Sequence, residues 1–334
     1  MKVSVVVTVY NLARYVEATL ASVFAQSHHD VEIIVVDDAS TDGSVELLRA
    51  HEDRITLVRH DRNRGVLAAT LSGLEKATGE IVAFLDGDDL WEPEKHARVA
   101  TRFAADDRTV MVSHDCSVID GSGKKVRGID PTQAPTRARA ADADALSAGM
   151  RRSVLEARGA VWRGSAWCLR NAALDRAEVA RWVSSLPDPT LVYQDHPLAT
   201  LLLLTNPDGR VDYVNEALLR YRIHDANYSG AARDLVRAKK IVDKGWATRK
   251  ATLELVRHHT AHDTALVIRQ DWTLCEYDYL RALYERDLLG AAIAFADCVR
   301  GVWPLRQVAK EAARFGAVGL LGPERFLALR ARQR

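Results

Sequence analysis

The chain has 334 residues, 48% of them hydrophobic, so it can bury a sizeable core as one large domain or two smaller ones. This composition excludes an intrinsically disordered protein. Lys and Arg number 46 and Asp and Glu 45, which gives a net charge of +1 and no overall attraction to nucleic acid. Binding specificity must therefore come from local sites.

The cysteines and the apolar runs indicate the compartment. The four cysteines are widely separated and form no Cys-x-x-Cys pair, which argues against a zinc knuckle or a dense disulfide framework. The first residues, MKVSVVV, lack the cleavage site of a signal peptide, and the run LATLLLL is far shorter than the roughly 20 residues of a membrane span. We therefore expect a cytoplasmic protein, either soluble or bound peripherally at the inner face of the membrane.

In chain order, the first hundred residues alternate β-rich segments with helical patterns. VSVVVTVY is followed by a helical pattern after Asn11, and VEIIVVDD by another after Ser40 and Thr41. RITLVRH precedes a helix that starts near Gly65, and EIVAFLDGDD precedes one with Pro93 in its first turn. Strands that are apolar on both faces and alternate with helices indicate an α/β fold with a mostly parallel central sheet.

The pattern changes twice along the rest of the chain. Between about residues 110 and 225, VMVSHDCSVIDGSGKKV predicts a hairpin that turns at DGSG, and YQDHPLATLLLL predicts a loop that leads into a buried helix. Beyond about residue 230 only long helical patterns remain, one of which resembles a single tetratricopeptide unit. We therefore predict an α/β domain over residues 1–230 and a C-terminal helical region over residues 231–334.

Polar side chains stand where three of the predicted strands end. In an open α/β sheet, ligands bind outside the carboxyl ends of the strands, so these side chains lie where a ligand is expected. Carboxylates gathered at one edge repel one another unless a cation or a ligand's donors offset their charge. A single Asp here is explained by capping of the next helix, but two acidic strand ends together favour a binding site. The side chains are Thr8, Tyr10, Asn11, Asp37, Asp38, Asp86, Asp88 and Asp89.

Several motifs in this order resemble those of the family 2 glycosyltransferases, which have the GT-A fold. They are VSVVVTVYN, VEIIVVDDASTDGS, NRG, GEIVAFLDGDD followed by Trp91, the QD of YQDHP, and YRIHDANYS. The resemblance covers residues 1 to about 230. It implies an inverting, metal-dependent transfer of a sugar from a nucleotide-sugar donor, usually a UDP-sugar, to an acceptor hydroxyl on a polysaccharide or lipid-linked glycan.

The resemblance also implies a donor site. Thr8, Tyr10 and Asp38 fall where the family holds the nucleotide base, and a ring there can stack on uracil while a hydroxyl or carboxylate reads its polar edge. Asp88 corresponds to the principal ligand of Mn²⁺ or Mg²⁺, and Asp86 to a residue that holds the ribose or the metal. A divalent cation held by carboxylates neutralises the charge that develops on the departing diphosphate.

Further roles around the sugar and the diphosphate follow from the same resemblance. Asp89 is placed near the sugar. Trp91 and Trp167 offer aromatic faces for a sugar ring, although core packing is the alternative for at least one of them. His224 matches a position where relatives place a His near the diphosphate and metal, with a purely structural His as the alternative, and Arg222 is a weaker candidate for the diphosphate.

Direct inverting displacement needs a carboxylate on the far side of the sugar from the diphosphate, where it accepts the acceptor's proton. In the family this group is the Asp of an acidic pair that precedes a helix, and the pair here is Gln194–Asp195. We therefore predict Asp195 as the catalytic base, although an Asp at this position also suits a plain helix N-cap. With a neutral Gln194 beside it, the pKa of Asp195 need not be raised.

The segment RNRGVLAATLSGL departs from the family. Many members carry an Arg and an Asn where this chain has Thr70 and Leu71, which leaves the usual phosphate or acceptor contacts of this helix in doubt. Arg62 and Arg64 are the candidates to replace them, and we assign Arg64 to the donor site, although loop arginines are commonly only solvated. Asn11 is assigned the structural role of capping the next helix.

Residues 304–334 contain seven Lys or Arg and two Glu, with apolar side chains between them. A basic amphipathic segment of this kind predicts peripheral contact with an anionic membrane, where lipid-linked acceptors are found. The alternative is a helix packed on the rest of the chain with a solvated basic face. A homo-oligomer is compatible with the sequence, which does not decide the oligomeric state.

Two other functions fit the same residues. The first is a glycosyltransferase that acts on a peptide or small natural product gripped by the tetratricopeptide-like helices. The second is a nucleotide-sugar-binding protein without transfer activity, which the departures at Thr70, Leu71 and Gln194 favour. Donor binding and turnover measured together in an Asp195→Asn variant distinguish an enzyme from a binding protein.

Overall fold

The computed structural model describes residues 1–126, 143–156, 164–224, 234–260, 263–301 and 303–332. The chain separates into two compact units, Met1–Thr190 with Gln194–His224, and Leu191–Tyr193 with Asp225–Arg334. The domain boundary predicted near residue 230 lies outside the described residues and stays a prediction.

The first part of the α/β unit alternates strands and helices, as its sequence predicts. Valine and isoleucine dominate its long strands and are buried on both faces, which suits β-branched side chains and a sheet covered on both sides. The elements are β1 Val3–Val9, α1 Val16–Phe24, β2 Val31–Asp37, α2 Ser44–Arg49, β3 Thr56–Arg59, α3 Gly65–Lys76, β4 Ile81–Asp86, β5 Leu90–Trp91 and α4 Lys95–Ala105. Because α4 begins at Lys95, Pro93 lies just before the helix and not in its first turn.

The second part of this unit mixes strand directions. Short 3₁₀ turns at Gly164–Ala166, Asn171–Ala173 and Pro189–Leu191 separate its longer elements. The longer elements are β6 Thr109–Asp120, α5 Ala143–Leu155, β7 Trp167–Arg170, α6 Arg176–Ser184, α7 Asp195–Thr205 and β8 Arg210–Ile223.

The hairpin predicted at DGSG is confirmed as far as the described residues reach. The chain turns at Asp120–Gly123, and the returning residues pair antiparallel with the end of β6 through the Ile119–Lys125 bridge and the hydrogen bond from Val126 N–H to the carbonyl of Val118. β6 also pairs in parallel with β8 along its length, and antiparallel with β7 over Met111–Ser113. These pairings satisfy most of its backbone donors and acceptors.

The eight strands form one sheet in the order β3-β2-β1-β4-β7-β6-β8-β5. β1 runs parallel to β2 and β4, and β2 runs parallel to β3, whereas β7 and β5 are antiparallel to their neighbours. In register, Thr8 lies beside Val36 on one side and Asp86 on the other. The mostly parallel α/β sheet is therefore confirmed, and the polar ends of β1, β2 and β4 meet at one edge.

A glycine sets how closely α3 lies on the sheet. A Cβ atom built on Gly73 would come within 2.3 Å of a methyl carbon of Val6 and 3.3 Å of one of Val36. Only glycine permits this approach without displacing the strands. The face of α3 that carries Gly73 therefore packs on the sheet, and the remaining surface of the helix can contact other elements.

The second unit is helical, as predicted. Asp234 and Asp263 cap its first two helices, each by accepting a hydrogen bond from the backbone N–H three residues on. Its core includes Tyr279, Phe295 and Trp303, whose rings meet edge to face. The helices are α8 Leu235–His259, α9 Thr264–Glu285, α10 Leu288–Gly301, α11 Leu305–Leu321 and α12 Pro323–Arg332. None of the helices in the described part of the chain combines the length and the hydropathy needed to cross a bilayer.

Glu32 ties the start of β2 to the start of β1 and to the segment before β4. Its carboxylate accepts hydrogen bonds from Lys2 Nζ at 2.6 Å, from the backbone N–H of Thr78 at 2.6 Å, and from the Ser4 hydroxyl. Partial burial alone would raise the pKa of Glu32, but these hydrogen bonds, with that from Lys2 the strongest, lower it to about 2. Glu32 is therefore ionised and bonded at neutral pH.

We expect Glu32→Gln to lower the free energy of unfolding at pH 7 by about 1 kcal/mol, a value reduced by solvent screening of this partly exposed group. Because the folded pKa lies below the unfolded value of about 4.3, the carboxylate's contribution is complete above that pH and is lost as the pH falls toward 2. Urea unfolding of the wild type and of Glu32→Gln across this pH range should show the difference between their free energies of unfolding become smaller as the pH falls. Glu52→Gln, at an exposed residue, is the control. A difference in free energy of unfolding that does not change with pH would contradict a stabilising role for the ionised Glu32.

Candidate active site

The carboxyl ends of β1 and β4 bring a hydroxyl, an aromatic ring and a carboxylate to one edge of the sheet. The Thr8 hydroxyl donates to Asp86 Oδ1 over 3.4 Å, and the backbone N–H of Asp86 donates to Ser165 Oγ over 3.0 Å. Tyr10, just past the end of β1, has a side chain that is 46% exposed. Its ring is therefore open to a stacking partner beside Thr8 and Asp86.

Asp38 anchors the start of α3 at the same edge. Its buried carboxylate accepts hydrogen bonds from the backbone N–H groups of Arg64 and Gly65, each at 2.8 Å, and lies 2.6 Å from His60 Nδ1. A negative charge at a helix N-terminus is favoured by the helix dipole. The structure thus gives Asp38 a positioning role, and its contact with a nucleotide base stays a prediction.

The loop DGDD that follows β4 is fastened to its neighbours through backbone atoms. The Thr19 hydroxyl lies 2.9 Å from the carbonyl oxygens of both Gly87 and Asp89, and the N–H of Gly87 donates to the carbonyl of Thr8 over 2.9 Å. A Cβ atom on Gly87 would come within 3.0 Å of that same carbonyl and of Val9. Glycine thus lets the loop lie directly against the end of β1.

Asp88 and His224 form a close pair although 136 residues separate them. His224 Nε2 lies 2.8 Å from Asp88 Oδ2, and the imidazole packs on the ring of Tyr15 with centroids 4.5 Å apart. Carboxylate oxygens and an imidazole nitrogen suit Mn²⁺, and carboxylates also suit Mg²⁺. Asp88 and His224 therefore supply two donors that suit the predicted divalent cation, and a contribution from Asp86 to the same site stays a prediction.

Asp89 and Arg222 lie beneath this loop. Asp89 is buried, and its Oδ1 accepts the backbone N–H of Arg222 at 2.8 Å. Burial, with repulsion from Asp88 and Asp86, raises the pKa of Asp89 well above its ordinary value. Arg222 Nε donates to the carbonyl of Asp88 over 2.6 Å. The buried carboxylate of Asp89 therefore supports the loop through Arg222, and its predicted place near the sugar stays a prediction.

The tryptophans predicted to stack on a sugar ring lie in the core. Trp91 is 2% exposed and Trp167 is fully buried. The Trp91 indole donates to the carbonyl of Ser165 over 2.9 Å and has Lys95 Nζ over its ring at 3.3 Å, while Trp167 packs against Phe84. The stacking prediction is wrong for both rings, since neither offers a free face.

Asp195 is the first residue of α7 and is half-buried, with Oδ1 accepting the N–H of His196 at 2.9 Å. The turn that starts at Gly164 brings the beginning of this helix close to β4. A Cβ atom on Gly164 would lie 2.9 Å from Gln194 Nε2 and 3.5 Å from Asp86 Oδ2. The residue directly before Asp195 therefore lies within a few ångströms of the Asp86 carboxylate.

Asn11 does not cap α1. The helix begins at Val16, and Asn11 has a left-handed backbone with φ of 54°, which Asn tolerates better than most residues. Its Oδ1 accepts the N–H of Thr41 at 2.8 Å, and its own N–H donates to Ser40 Oγ over 2.9 Å. Asn11 thus joins the loops after β1 and β2, and the capping prediction is wrong.

Sequence reasoning missed several residues that organise this site. Ser165 contacts both the Asp86 amide and the Trp91 indole, Thr19 holds the DGDD loop, and Tyr15 supports His224. The motif GSAW, which runs from Gly164 to the first residue of β7, is a sequence signal that could have identified Ser165. Thr19 and Tyr15 lie in and beside an ordinary amphipathic helix, and nothing in their local pattern separates them from core residues.

Comparison with known proteins identifies the family. The model of Glycosyl transferase family 2 matches residues 4–157. The chain is 35% identical over 234 residues to the uncharacterized glycosyltransferase alr2836 of Nostoc sp., a match that covers 68% of this chain and 66% of that relative. This chain belongs to glycosyltransferase family 2. It is also 45% identical over 96 residues to the putative teichuronic acid biosynthesis glycosyltransferase TuaG of Bacillus subtilis, covering 28% of this chain and 38% of TuaG.

Two solved structures share the fold of this family 2 chain. Residues 1–349 of S. aureus TarS, in complex with UDP-GlcNAc, match with a TM-score of 0.54 and 17% identity over 90% of this chain and 89% of that one. Mannosyltransferase PcManGT from Pyrobaculum calidifontis, in complex with GDP-Man and Mn²⁺, matches with a TM-score of 0.50 and 22% identity over 98% of this chain and 83% of that one. The predicted GT-A type fold is confirmed.

Proposed function

We propose that this chain is a metal-dependent inverting glycosyltransferase that moves a sugar from a UDP-sugar to an acceptor hydroxyl of a polysaccharide or lipid-linked glycan. The observation that carries the proposal is the pairing of Asp88 with His224 next to the polar end of β1. TarS in complex with UDP-GlcNAc and the teichuronic acid role of TuaG support the donor and the acceptor class. PcManGT in complex with Mn²⁺ supports the metal.

The donor's base fits the edge formed by Tyr10, Thr8 and Asp38. The exposed Tyr10 ring supplies a face for the uracil, and the Thr8 hydroxyl supplies a polar group beside it. Asp38 holds the backbone of Arg64 in place, so the Arg64 side chain starts next to the base pocket. Its charge would then face the donor's phosphates.

Asp86, Asp88 and His224 would hold Mn²⁺ or Mg²⁺, which when bound neutralises negative charge on the diphosphate. The chain's own contribution is to fix these ligands in advance. Thr19 and Arg222 bind the backbone of the DGDD loop, and Tyr15 packs on His224. Ligands held in this way need little reorganisation when charge develops on the leaving group.

Asp195 would act as the base. Its carboxylate accepts the proton of the acceptor hydroxyl while that oxygen bonds to the anomeric carbon and the bond from this carbon to the diphosphate oxygen breaks. The electron pair of the broken bond stays on the diphosphate, and the attack from the opposite side inverts the anomeric centre. The residue before Asp195 is the neutral Gln194, where the family commonly has an acid.

A thermal-shift panel of UDP-, GDP-, dTDP- and CMP-sugars, with and without Mn²⁺, tests the donor assignment. Binding to the folded state raises the unfolding temperature by mass action, so we expect a metal-dependent rise with UDP-sugars. Tyr10→Ala should reduce that rise, and Trp272, an exposed aromatic residue of α9, provides the control Trp272→Ala. A shift confined to nucleotides other than uridine would contradict the assignment.

For the predicted membrane contact, one face of α11 is suited to an anionic bilayer. Leu305 and Leu320 are 89% and 88% exposed, and the exposed charged side chains of this helix, Arg306 and Lys310, are both basic. Its one acid, Glu311, is buried and paired with Arg314 at 2.8 Å. Exposed leucines flanked by basic side chains are typical of helices that lie in the interface of anionic membranes.

We expect Leu320→Glu to reduce binding to phosphatidylglycerol vesicles by about tenfold, because the variant loses an apolar anchor and adds a like charge to the lipid's. Co-sedimentation with vesicles measures the bound fraction, and zwitterionic vesicles should bind little of either protein. The matched control is Leu289→Glu on α10, where Leu289 is also exposed. Equal loss in both variants, or none in Leu320→Glu, would exclude α11 as the contact.

A further inference from the structure

A cavity of about 600 Å³ lies between α3 and α6 in the α/β unit. Its walls are mainly aliphatic, and its size is in the range of pockets that hold small organic ligands. The donor and metal residues assigned above, other than Arg64, do not line it. Its apolar lining includes Leu67, Ala68, Leu71, Leu74, Leu174 and Val179.

The cavity follows one face of α3. Leu67, Leu71 and Leu74 are spaced as i, i+4 and i+7, which places them on a single stripe about 10 Å long. The close contact of Gly73 with the sheet fixes the opposite side of the helix. The stripe therefore meets α6 across an apolar space that an extended hydrocarbon chain would fill.

Positive charge is concentrated at one end of this space. Arg62 and Arg64 line the end at the N-terminus of α3, and within the described residues neither guanidinium has a hydrogen-bond or ion-pair partner. The N-terminus of α3 is already matched by the Asp38 carboxylate, so the positive potential at this end comes from the two guanidinium groups. At the other end Arg176 donates to the carbonyl of Leu74 over 2.6 Å, and Glu75 also lines the cavity. The two ends therefore differ in that the guanidinium of Arg176 is held by neutral oxygen acceptors, whereas those of Arg62 and Arg64 have no hydrogen-bond partner among the described residues.

That charged end lies against the chain segment that precedes Asp195 in the sequence. The backbone of Thr190 lies against Gly65, at 2.9 Å from a Cβ built there, and Thr190 is five residues before Asp195. Asp38 holds the backbone of Arg64 and Gly65 from the donor side. A ligand with its anionic group at Arg62 would therefore present that group toward the segment that leads to Asp195.

We propose that this cavity binds the apolar part of the acceptor, an amphiphile in which an aliphatic chain carries an anionic group. The aliphatic chain lies along the Leu67, Leu71 and Leu74 stripe, and the anionic group lies at Arg62, while Arg64 stays assigned to the donor. This assignment rests on the proposed function. It also accounts for Leu71, an apolar residue at a position where many family members have Asn.

Isothermal titration calorimetry with decyl phosphate, kept below its micelle concentration, tests the proposal. We expect one saturable site per chain, with affinity about tenfold or more above that for inorganic phosphate or decanol alone. Decanoate, titrated in parallel, shows whether the anion is a phosphate or a carboxylate. Binding that does not saturate, or equal affinity for decanol and decyl phosphate, would overturn the proposal.

Substitutions in the cavity test whether decyl phosphate binds there. Leu71→Asn, which introduces a polar group, and Ala68→Leu, which narrows the space with an apolar one, should each weaken decyl phosphate binding by about tenfold. The half-buried Leu47 on α2 provides the matched control Leu47→Asn. Arg62→Gln should weaken decyl phosphate but not decanol, with exposed Arg59→Gln as its control. Unchanged affinity in both Leu71→Asn and Ala68→Leu would overturn the assignment to this cavity.

Titration of UDP with Mn²⁺ on the same samples separates this proposal from the proposed function. If UDP binds but decyl phosphate does not, the cavity proposal fails and the proposed function stands. If decyl phosphate binds in the cavity but no nucleotide binds elsewhere, the proposed function fails. If UDP competes with decyl phosphate for one site, the cavity belongs to the donor, and the acceptor assignment is overturned.

Discussion

Asp195→Asn is expected to lower the turnover of sugar transfer by about 10²–10⁴-fold and to leave UDP-sugar binding nearly unchanged. Asn keeps the size and shape of the side chain at the start of α7 but does not accept the acceptor's proton. Release of UDP measures turnover, and calorimetry measures donor affinity. The loss should therefore appear in kcat and not in the dissociation constant of the donor.

A matched control comes from the other helix of the α/β unit that starts at an Asp. Asp175 caps α6 by accepting the N–H of Glu178, and Asn is an equally good cap, so Asp175→Asn should change neither turnover nor folding. If turnover survives in Asp195→Asn together with donor binding, another group is the base. Asp195, the first helical residue after the N-cap Gln194, would then have only a structural role.

The second large effect is expected for Asp88→Asn, which should weaken Mn²⁺-supported UDP binding by about tenfold or more. The change removes a charged oxygen from the donor set and also weakens the pair with His224, whose Nε2 lies 2.8 Å away. Titration of UDP at fixed Mn²⁺, and of Mn²⁺ at fixed UDP, measures the loss. Asp107→Asn, at an exposed turn, controls for the charge change alone.

His224→Gln refines this prediction, because it keeps a hydrogen-bonding side chain but removes the imidazole nitrogen. A smaller loss than in Asp88→Asn is expected, since carboxylate oxygens are the preferred ligands of both Mn²⁺ and Mg²⁺. Unchanged Mn²⁺ dependence in Asp88→Asn would contradict the metal assignment and leave the Asp88–His224 pair a structural one.

Residue patterns predict the parallel part of the sheet well, because its strands carry their own signal. Apolar runs that end in Thr8, Asp38 and Asp86 predict three strands whose polar ends lie at one edge of the sheet. The register of β1 with β2 and with β4 confirms this arrangement. The closeness of Asp88 and His224 has no such local signal. It followed only from resemblance to the family, since nothing short-range links residues 136 apart.

The predictions that failed depend on which way a side chain faces. Trp91 and Trp167 have the right chemistry for a sugar, but the pairing of β5 with β8 and the place of β7 between β4 and β6 put both rings in the core. Asn11 has the right chemistry for a helix cap, but its left-handed backbone directs it to Thr41 instead. These side-chain orientations depend on tertiary packing, which local sequence patterns do not encode.

The cavity between α3 and α6 shows the same limit. Leu71 stood out as a departure from the family, yet its meaning depends on the distance between two helices. That distance follows from Gly73, which brings α3 onto the sheet, and from the placement of α6 after the turn at Asn171–Ala173. The sequence identifies Leu71 as unusual for the family, but only the packing of α3 and α6 shows that Leu71 lines a cavity.

The most direct test of the proposed function is UDP release from a UDP-sugar in the presence of Mn²⁺ and a broad set of acceptors, including glycans, lipid phosphates and peptides. We expect UDP release to rise when a suitable acceptor is added, to stop when the metal is chelated, and to be lost in Asp195→Asn. If the wild-type chain binds UDP-sugar with metal but releases no UDP with any acceptor, the chain is a nucleotide-sugar-binding protein and the proposed function is wrong.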